Sequence, residues 1–301
     1  MRHLLNLMDL DRDSFFKILH RGIEHKKNRF LNPHALKGKS IGLLFEKVST
    51  RTRISFSVAI HELGGHYMVF SSNELQLGRG ETIEDTAHVM SRYIHGLIVR
   101  TDRHEKLERM AKLNILPIIN ALSDLFHPCQ GLADYMTMQE LGFDVSKIKI
   151  AFIGEPNNVF NSLVLGSIHT NTQIAIATPS GFSLIPEVKN IITKHNKNIE
   201  IKNDPKEVVK DANVIYTDVW VSMGQEKEAE TRKIIFRPYS VNSELLRYAP
   251  KDVIVMHCLP AHRGEEITNE IMDKFYHIIM NQAENRLHVQ KALLEWIFGI
   301  I

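Results

Sequence analysis

The sequence has 301 residues, of which 44% are hydrophobic and 24% are charged, as in globular proteins with a large core. A domain usually has about 100–200 residues, so this length predicts two domains. The 37 Lys and Arg residues nearly balance the 35 Asp and Glu residues, and a net charge of +2 argues against a nucleic-acid-binding protein.

Short β-branched runs alternate with amphipathic segments along the chain. Phe15, Ile18, Leu19 and Ile23 recur at helical spacing, whereas residues 41–45 form an apolar run typical of a buried strand. Thr82 and Asp85 have the spacing of a capping box at the start of a helix. We predict strands over residues 41–45, 97–99, 116–119, 148–153, 173–177, 214–216, 253–256 and 276–280, and helices over 13–25, 53–63, 187–195 and 205–210.

This alternation predicts an α/β protein with two doubly wound parallel-sheet domains that meet near residues 130–148. Polar residues follow most of the predicted strands. Ligands bind outside the carboxyl ends of the strands in such sheets, so we expect one active site in the cleft between the two domains. The polar clusters are Ser49–Arg53, Arg100, His127–Gln130, Asn157 with Asn158, Asp218, and His257–Pro260.

The cluster Ser49-Thr50-Arg51-Thr52-Arg53 leaves a strand and enters a helix. Hydroxyls, guanidiniums and free helical N–H groups together favour a bound phosphate. The glycine pattern of a nucleotide-binding P-loop is missing from this cluster, so the phosphate need not belong to a nucleotide. The plainer interpretation is a helix cap whose arginines face solvent.

Two further clusters place a histidine near a cysteine. His127 precedes Pro128, which favours an extended backbone, and its imidazole could donate to a carbonyl oxygen. His257 and Cys258 are neighbours on a strand and should point to opposite faces, which argues against a nucleophile–base pair. The spacing alone favours a buried, unreactive cysteine at Cys258, with nucleophilic catalysis as the alternative.

Asp218 and the Asn157-Asn158 pair have the polarity needed to bind the charged groups of an amino acid, although each could be ordinary turn chemistry. Three charged stretches, over residues 107–111, 187–194 and 226–233, are predicted to be solvated surfaces.

The compartment is predicted from the cysteines and the N-terminus. Two cysteines, Cys129 and Cys258, give neither a disulfide framework nor zinc-ligand spacing, so we expect no metal and no cofactor. Asp9 and Asp11 follow Met1 too closely for a targeting peptide, and no apolar run reaches the about 20 residues that span a bilayer. We therefore expect a cytoplasmic protein that does not associate with membranes.

Taken together, these motifs resemble the aspartate/ornithine carbamoyltransferase superfamily. Phe45–Arg53 followed by Ile54-Ser55-Phe56 is similar to its carbamoyl-phosphate loop, and His127-Pro128-Cys129-Gln130 to its second signature. Asp218-x-x-x-Ser222-Met223-Gly224 and His257-Cys258-Leu259-Pro260 look like the ornithine-specific pair. The resemblance extends from the first helix to the last.

The resemblance implies transfer of a carbamoyl group from carbamoyl phosphate to the side-chain amine of ornithine, and favours arginine biosynthesis over the catabolic arginine deiminase pathway. It also implies a carbamoyl-phosphate-binding domain of residues 1–142 completed by residues 284–301, and an ornithine-binding domain of residues 143–283. A homotrimer is implied too, because Gln76 matches a residue that reaches into a neighbouring subunit's site.

Roles for single residues are likewise implied by the resemblance. Those assigned to chemistry are Arg100, His127, Asp218 and Cys258. Those assigned to carbamoyl phosphate are Ser49, Thr50, Arg51, Thr52, Gln76, Arg100, His127, Gln130, Cys258, Leu259 and Arg286. Those assigned to ornithine are Asn158, Asp218, Ser222 and Met223, where Asn157 could replace Asn158 because the turn before them is tight.

Three alternatives stay open from the sequence. The first is a carbamoyltransferase that uses another acceptor, such as aspartate or an N-acylated ornithine. The second is a non-catalytic anion-binding or regulatory protein on the same fold. The third is a thiol hydrolase that uses Cys258 as its nucleophile.

Overall fold

The computed structural model describes residues 1–71, 80–221 and 226–301. They form two compact units, the first consisting of Met1–Met136 with Glu284–Ile301 and the second of Thr137–Ala283. Each unit contains one sheet in which every pairing is parallel, so the predicted α/β class with two parallel-sheet domains is confirmed. Within the described ranges, no helix is both long and apolar enough to cross a membrane.

The described ranges contain the following elements. The strands are β1 (Ser40–Phe45), β2 (His66–Ser71), β3 (Gly96–Arg100), β4 (Ile118–Leu122), β5 (Lys149–Ile153), β6 (Gln173–Ala177), β7 (Ile199–Lys202), β8 (Val214–Thr217) and β9 (Ile254–His257). The helices are α1 (Arg12–Lys27), α2 (Arg51–Glu62), α3 (Ile83–Met90), α4 (His104–Lys112), α5 (Pro128–Glu140), α6 (Asn158–Thr170), α7 (Pro186–Lys194), α8 (Pro205–Val209), α9 (Ala229–Phe236), α10 (Ser243–Leu246), α11 (Asn269–Lys274) and α12 (Tyr276–Ile297).

The sheet of the first unit has the strand order β2-β1-β3-β4. The chain passes from β1 to β2 at one edge and then crosses to β3 on the other side of β1. The order therefore reverses between β1 and β3, where open α/β sheets bind their ligands. Phe45 pairs with Arg100 at the carboxyl ends of these two strands, so the residues after β1 lie next to Arg100.

The sheet of the second unit has the order β7-β6-β5-β8-β9, and its reversal lies between β5 and β8. Ile153 pairs with Thr217, which in turn pairs with His257. The segments that begin at Gly154, Asp218 and Cys258 consequently leave three adjacent strands at the same edge of the sheet.

One predicted strand is wrong. Residues 276–280 form the first turns of α12, in which Ile279 is buried while Tyr276 is exposed. A five-residue apolar run does not by itself distinguish a strand from a buried helical segment. No stop signal follows the run before the helical pattern continues, so the helix includes it.

Other differences concern boundaries and edges. The strand predicted over residues 116–119 is β4 (Ile118–Leu122), which begins directly after Pro117, a residue without an N–H for the ladder. The sequence analysis missed β2 and β7, which are edge strands with partly exposed side chains rather than buried apolar runs. Thr82 is the N-cap of α3, because its hydroxyl accepts a hydrogen bond from the Asp85 N–H. The Asp85 carboxylate accepts from the Thr82 hydroxyl rather than from the Thr82 backbone N–H, so the predicted capping box is formed only in its first half.

Candidate active site

The loop after β1 leads directly into α2. This helix begins at Arg51, two residues before the predicted start, so Thr52 and Arg53 belong to its first turn. Thr50 stands at the N-cap position, but its side chain makes no capping hydrogen bond. The first N–H groups of this 12-residue helix are therefore not capped by Thr50, and together with the helix dipole they favour an anion.

Arg100 ends β3 beside that loop. Its guanidinium donates a 3.2 Å hydrogen bond to the Ser49 hydroxyl, and its carbonyl oxygen accepts from the N–H of Glu46. Burial, and then the positive charges of Arg286 and Arg51, lower the pKa of Arg100 to about 10. Like charges held this close favour an anion that would neutralise them.

Arg286 in α12 adds a third guanidinium to the same group. It is 3% exposed and donates a 2.7 Å hydrogen bond to the Thr52 hydroxyl. Thr52 is also buried, so the bond holds the Arg286 guanidinium against the first turn of α2.

His127 immediately precedes α5 and is buried. It was expected at a strand exit, but β4 ends at Leu122 and a short turn separates the two. Burial, followed by the charges of Arg286, Arg100 and Arg51, holds the pKa of the His127 imidazole well below its ordinary value. The ring is therefore neutral near pH 7 and carries one N–H donor.

Gln130 and Cys129 lie in the first turn of α5. The Gln130 amide nitrogen donates a 2.8 Å hydrogen bond to Asp134, while its buried amide oxygen has no partner in the described part of the chain. The thiol of Cys129 is fully buried near the carbonyl oxygen of Asn120, and burial raises its pKa to about 12. Cys129 is thus a neutral thiol, whereas Gln130 presents a free acceptor.

The first unit thus combines three guanidiniums, an uncapped helix start, one neutral imidazole and one free amide oxygen. Guanidiniums and helical N–H groups suit a phosphate. The imidazole N–H suits a carbonyl oxygen, and the amide oxygen suits an N–H donor. A small molecule that carries all three groups could be bound here.

In the second unit, Asp218 follows β8 and is 8% exposed. The Cys258 thiol donates to its Oδ1 at 2.9 Å, and the Asn157 amide donates to its Oδ2 at 2.7 Å. Both oxygens of this carboxylate are fixed in position by neutral groups. Its negative charge suits an ammonium or amine ligand.

The two asparagines after β5 differ in their roles. Asn157 is the N-cap of α6, and its amide oxygen accepts from the N–H groups of Val159 and Phe160. Since its amide nitrogen binds Asp218, both ends of the Asn157 side chain are used within the unit. Asn158 is the first helical residue and is half-buried.

His257 and Cys258 end and follow β9, and they bind different partners. The Leu259 N–H donates to Nδ1 of His257, so Nε2 of a neutral ring donates to the buried Glu266 at 3.1 Å. The Cys258 thiol instead reaches Asp218. As expected, His257 and Cys258 do not pair as nucleophile and base. The backbone of the next residue, Leu259, has an unusual positive φ of 59°.

Among the residues that the structure describes, two groups of side chains have spacings suited to a cation. In Asp218, His257 and Cys258, one ligand atom of each lies within 4.8 Å of the others, and the same holds for His262, Glu265 and Glu266. In the first group both imidazole nitrogens already bind protein groups. A metal there would have to displace those hydrogen bonds.

One buried cation was missed by the sequence analysis. Arg232 lies in the stretch 226–233 that was predicted to be a solvated surface, yet it is 5% exposed. It binds the carbonyl oxygen of Trp220 and the carboxylate of Glu155. The available signal was the aromatic Phe236 one helical turn later, which places Arg232 on the buried face of α9.

Three predicted site residues, Gln76, Ser222 and Met223, lie outside the described residues. Of the other residues assigned to carbamoyl phosphate, Ser49–Thr52 and Arg100 lie at the reversal of the first sheet, Arg286 binds Thr52, and His127 and Gln130 follow β4. Asn157, Asn158 and Asp218 lie at the reversal of the second sheet, and Cys258 and Leu259 follow the neighbouring strand β9.

Comparison with known proteins gives consistent matches over the whole chain. The profile described as "Aspartate/ornithine carbamoyltransferase, carbamoyl-P binding domain" matches residues 2–140, and that of the "Asp/Orn binding domain" matches residues 146–297. An ornithine carbamoyltransferase from Methanocaldococcus jannaschii is 48% identical, with 98% of this chain and 99% of that protein covered.

Solved structures agree with these sequence matches. The ornithine carbamoyltransferase of Pyrococcus furiosus has a TM-score of 0.93 at 43% identity, covering 100% of this chain and 98% of that one. A structure titled anabolic ornithine carbamoyltransferase, from Campylobacter jejuni, has a TM-score of 0.94 at 37% identity and covers 100% of both chains.

Proposed function

The chain belongs to the aspartate/ornithine carbamoyltransferase family and is a carbamoyltransferase, and we propose that its acceptor is the side-chain amine of L-ornithine. The products are then L-citrulline and phosphate. The observation that carries the proposal is the Asp218 carboxylate, which Cys258 and Asn157 hold in position in the second unit. The convergence of Arg51, Arg100 and Arg286 on the neutral imidazole of His127 supports carbamoyl phosphate as the donor.

Carbamoyl phosphate matches the groups of the first unit one by one. Its phosphate would take the three guanidiniums, the hydroxyls of Ser49, Thr50 and Thr52, and the uncapped start of α2. Its carbonyl oxygen would accept from His127 and Arg100. Its amide N–H groups would donate to the free oxygen of Gln130.

Ornithine matches the groups of the second unit. Asp218 would hold a positively charged nitrogen, and Ser222 and Met223 would complete the head-group contacts. Asn158 is the asparagine that the family resemblance assigns to ornithine, and the Asn157 amide is bonded at both ends within the unit. The Leu259 N–H is used by His257, so the carbonyl oxygen of Leu259 would face the attacking amine beside Cys258.

The reaction follows from these contacts. The neutral amine of ornithine attacks the carbamoyl carbon, the carbonyl oxygen becomes an oxyanion, and the C–O bond to phosphate breaks as the amine loses its proton. Each donor to the oxyanion is worth about 3–4 kcal/mol, and alignment of two bound substrates about 7–11 kcal/mol. We assign no protein general base.

We extend the proposal to assembly, pathway and location. The homotrimer with Gln76 shared between subunits and the cytoplasmic location stay predictions from the family resemblance and the sequence. Arginine biosynthesis is favoured because the similar structure from Campylobacter jejuni is that of an anabolic ornithine carbamoyltransferase. Growth of an arginine auxotroph that lacks its own enzyme would test the biosynthetic direction.

Gln76 sharing can be tested by complementation. Gln76→Ala and Arg100→Met are each expected to be inactive alone. Mixed assemblies should regain activity, because some sites then combine an intact Gln76 with an intact Arg100. Mixtures that stay inactive despite subunit exchange would contradict a shared site.

The acceptor itself is tested with a panel. The purified chain is given carbamoyl phosphate with L-ornithine, L-aspartate or N-acetylornithine, and released phosphate and citrulline are both measured. We expect product with ornithine alone, and its loss in Asp218→Asn. Turnover of another acceptor would move the chain to a different specificity, and tight carbamoyl phosphate binding without any turnover would indicate a non-catalytic protein.

A further inference from the structure

The buried guanidinium of Arg232 connects the two chain segments that carry Asn157 and Asp218. We propose that Arg232 is a positioning residue for ornithine binding, which holds the Asp218 carboxylate in place without contacting the substrate. The inference rests on the proposed function, because it takes Asp218 as the ornithine-binding carboxylate.

Arg232 is fixed on several sides. Its Nε donates a 2.6 Å hydrogen bond to the carbonyl oxygen of Trp220, and its terminal nitrogen binds the carboxylate of Glu155. The guanidinium carbon lies 5.5 Å from the ring centre of Phe182 and 5.3 Å from that of Phe236. Two aromatic contacts and two hydrogen bonds leave this side chain little rotational freedom.

The two hydrogen-bond partners of Arg232 are each two residues away in sequence from one end of the Asn157–Asp218 hydrogen bond. Glu155 precedes Asn157 by two residues, and Trp220 follows Asp218 by two residues. The segments of Glu155 and Trp220 leave the adjacent strands β5 and β8. Arg232 therefore joins both segments at a second point, beyond the Asn157–Asp218 hydrogen bond.

The electrostatics give Arg232 a second effect on this site. Burial raises the pKa of Glu155, Arg232 lowers it, and the nearby Asp218 raises it. The cation of Arg232 thus offsets both burial and the neighbouring Asp218 charge at Glu155. Without Arg232, Glu155 would be a half-buried acid beside Asp218 without its cation, which favours protonation or movement of the Glu155 segment.

Trp220 links the arrangement to the core. Its indole is 4% exposed and stacks on the ring of Phe236, with 6.4 Å between the ring centres. Both residues belong to the apolar core of the second unit. The guanidinium is therefore anchored to the rigid part of the unit, as a positioning group must be.

The test compares Arg232→Met with Arg237→Met, the same change at an exposed arginine of the same region. In Arg232→Met the KM for ornithine should rise about tenfold or more, the value of one charge-assisted hydrogen bond. The KM for carbamoyl phosphate should stay within about twofold, because none of its proposed ligands bonds to Arg232. Arg237→Met should leave both constants unchanged.

Two more variants keep the test decisive if Arg232→Met does not fold. Arg232→Lys retains the charge and should recover part of the ornithine affinity. Glu155→Gln should raise the KM for ornithine, and adding it to Arg232→Lys should produce less than the sum of the two effects, because both act through one contact.

The outcomes separate this inference from the proposed function. If the unaltered chain makes no citrulline from ornithine, the proposed function fails. If the unaltered chain is active but the Arg232 variants keep their KM for ornithine, or raise the KM for both substrates equally, Arg232 has no positioning role.

Discussion

The thiol of Cys258 lies 2.9 Å from Oδ1 of Asp218 and donates a hydrogen bond to it. Because β8 and β9 are adjacent and in register at Thr217 and His257, the first residue after each strand meets the other. The thiol thus donates to a carboxylate, while the neighbouring imidazole of His257, which could otherwise activate it as a nucleophile, binds Glu266 and the Leu259 N–H. This relationship leads to the first prediction.

Cys258→Ala should retain carbamoyl transfer, with a KM for ornithine raised about tenfold through loss of one hydrogen bond to a charged group. Steady-state kinetics with ornithine as the varied substrate measures this KM. Cys129→Ala is the control at the other buried thiol. Complete loss of turnover, together with a covalent adduct detected by mass spectrometry, would instead support the thiol hydrolase alternative.

His127→Gln should change how stability depends on pH. The pKa of buried His127 lies well below its ordinary value of 6.5, so its neutral form contributes stability above pH 6.5. As the pH falls below 6.5 the unfolded chain binds the proton first, and about 1.4 kcal/mol is lost per pH unit until the folded pKa is reached.

Urea unfolding at pH 7.5 and at pH 5.5 measures this difference, which His127→Gln should lack. His262→Gln, at a histidine whose side chain is 48% exposed, is the matched control and should keep the pH dependence of the unaltered chain. An identical slope in His127→Gln would show that this imidazole does not titrate as described.

Arg286→Met should weaken carbamoyl phosphate binding and leave ornithine binding intact. A charged hydrogen bond is worth about 1.5–3 kcal/mol, so the KM for carbamoyl phosphate should rise about tenfold to a hundredfold. Kinetics with each substrate varied in turn gives the comparison. Thr52→Val removes the hydroxyl that Arg286 binds and should raise the KM for carbamoyl phosphate by a smaller factor.

Glu295→Gln should destabilise the chain by about 3–5 kcal/mol at pH 7, because it removes the buried carboxylate of the ion pair with Arg21. The Glu295 side chain is fully buried and accepts from Arg21, His25 and Asn32. Burial alone would raise its pKa, but the hydrogen bonds from His25 and Arg21 outweigh it and lower the pKa to about 2.

A depressed pKa contributes stability above the ordinary value of 4.5, and this stability is lost as the pH falls from 4.5 toward 2. The difference between Glu295→Gln and the unaltered chain should therefore shrink in acid. Glu24→Gln is the control, because Glu24 binds the same Arg21 but its side chain is 58% exposed. Equal losses in the two variants would contradict the role of burial.

Central strands can be predicted from this sequence more easily than edge strands. Five of the six residues of β1 are buried, which leaves an apolar run that is easily recognised. In β7, Ile199 and Ile201 alternate with charged residues and the strand is largely exposed, as an edge strand can be, so no such run exists. Seven of the eight predicted strands correspond to observed strands, and the eighth lies in α12.

The residues of the candidate site also differ in how well their positions could be predicted from the sequence. Arg100 and Asp218 follow recognisable strands, so their shared positions at sheet edges could be expected from strand order. The burial of Arg232 is indicated only by its helical spacing to Phe236, because the other aromatic ring beside its guanidinium, that of Phe182, comes from a distant part of the chain. A charged residue in a charged stretch is normally solvated, and only the tertiary packing reverses that expectation.

The bond between Thr52 and Arg286 also bears on the order in which the two units can be completed during synthesis. Residues 137–283 of the second unit are contiguous, so that unit can finish folding as soon as its last residue leaves the ribosome. The first unit starts earlier but lacks Glu284–Ile301, which includes its part of α12 and the Arg286 guanidinium, until that last segment has been made. On a nascent chain, the acceptor-binding half would thus mature before the anion-binding half, although its sequence comes second.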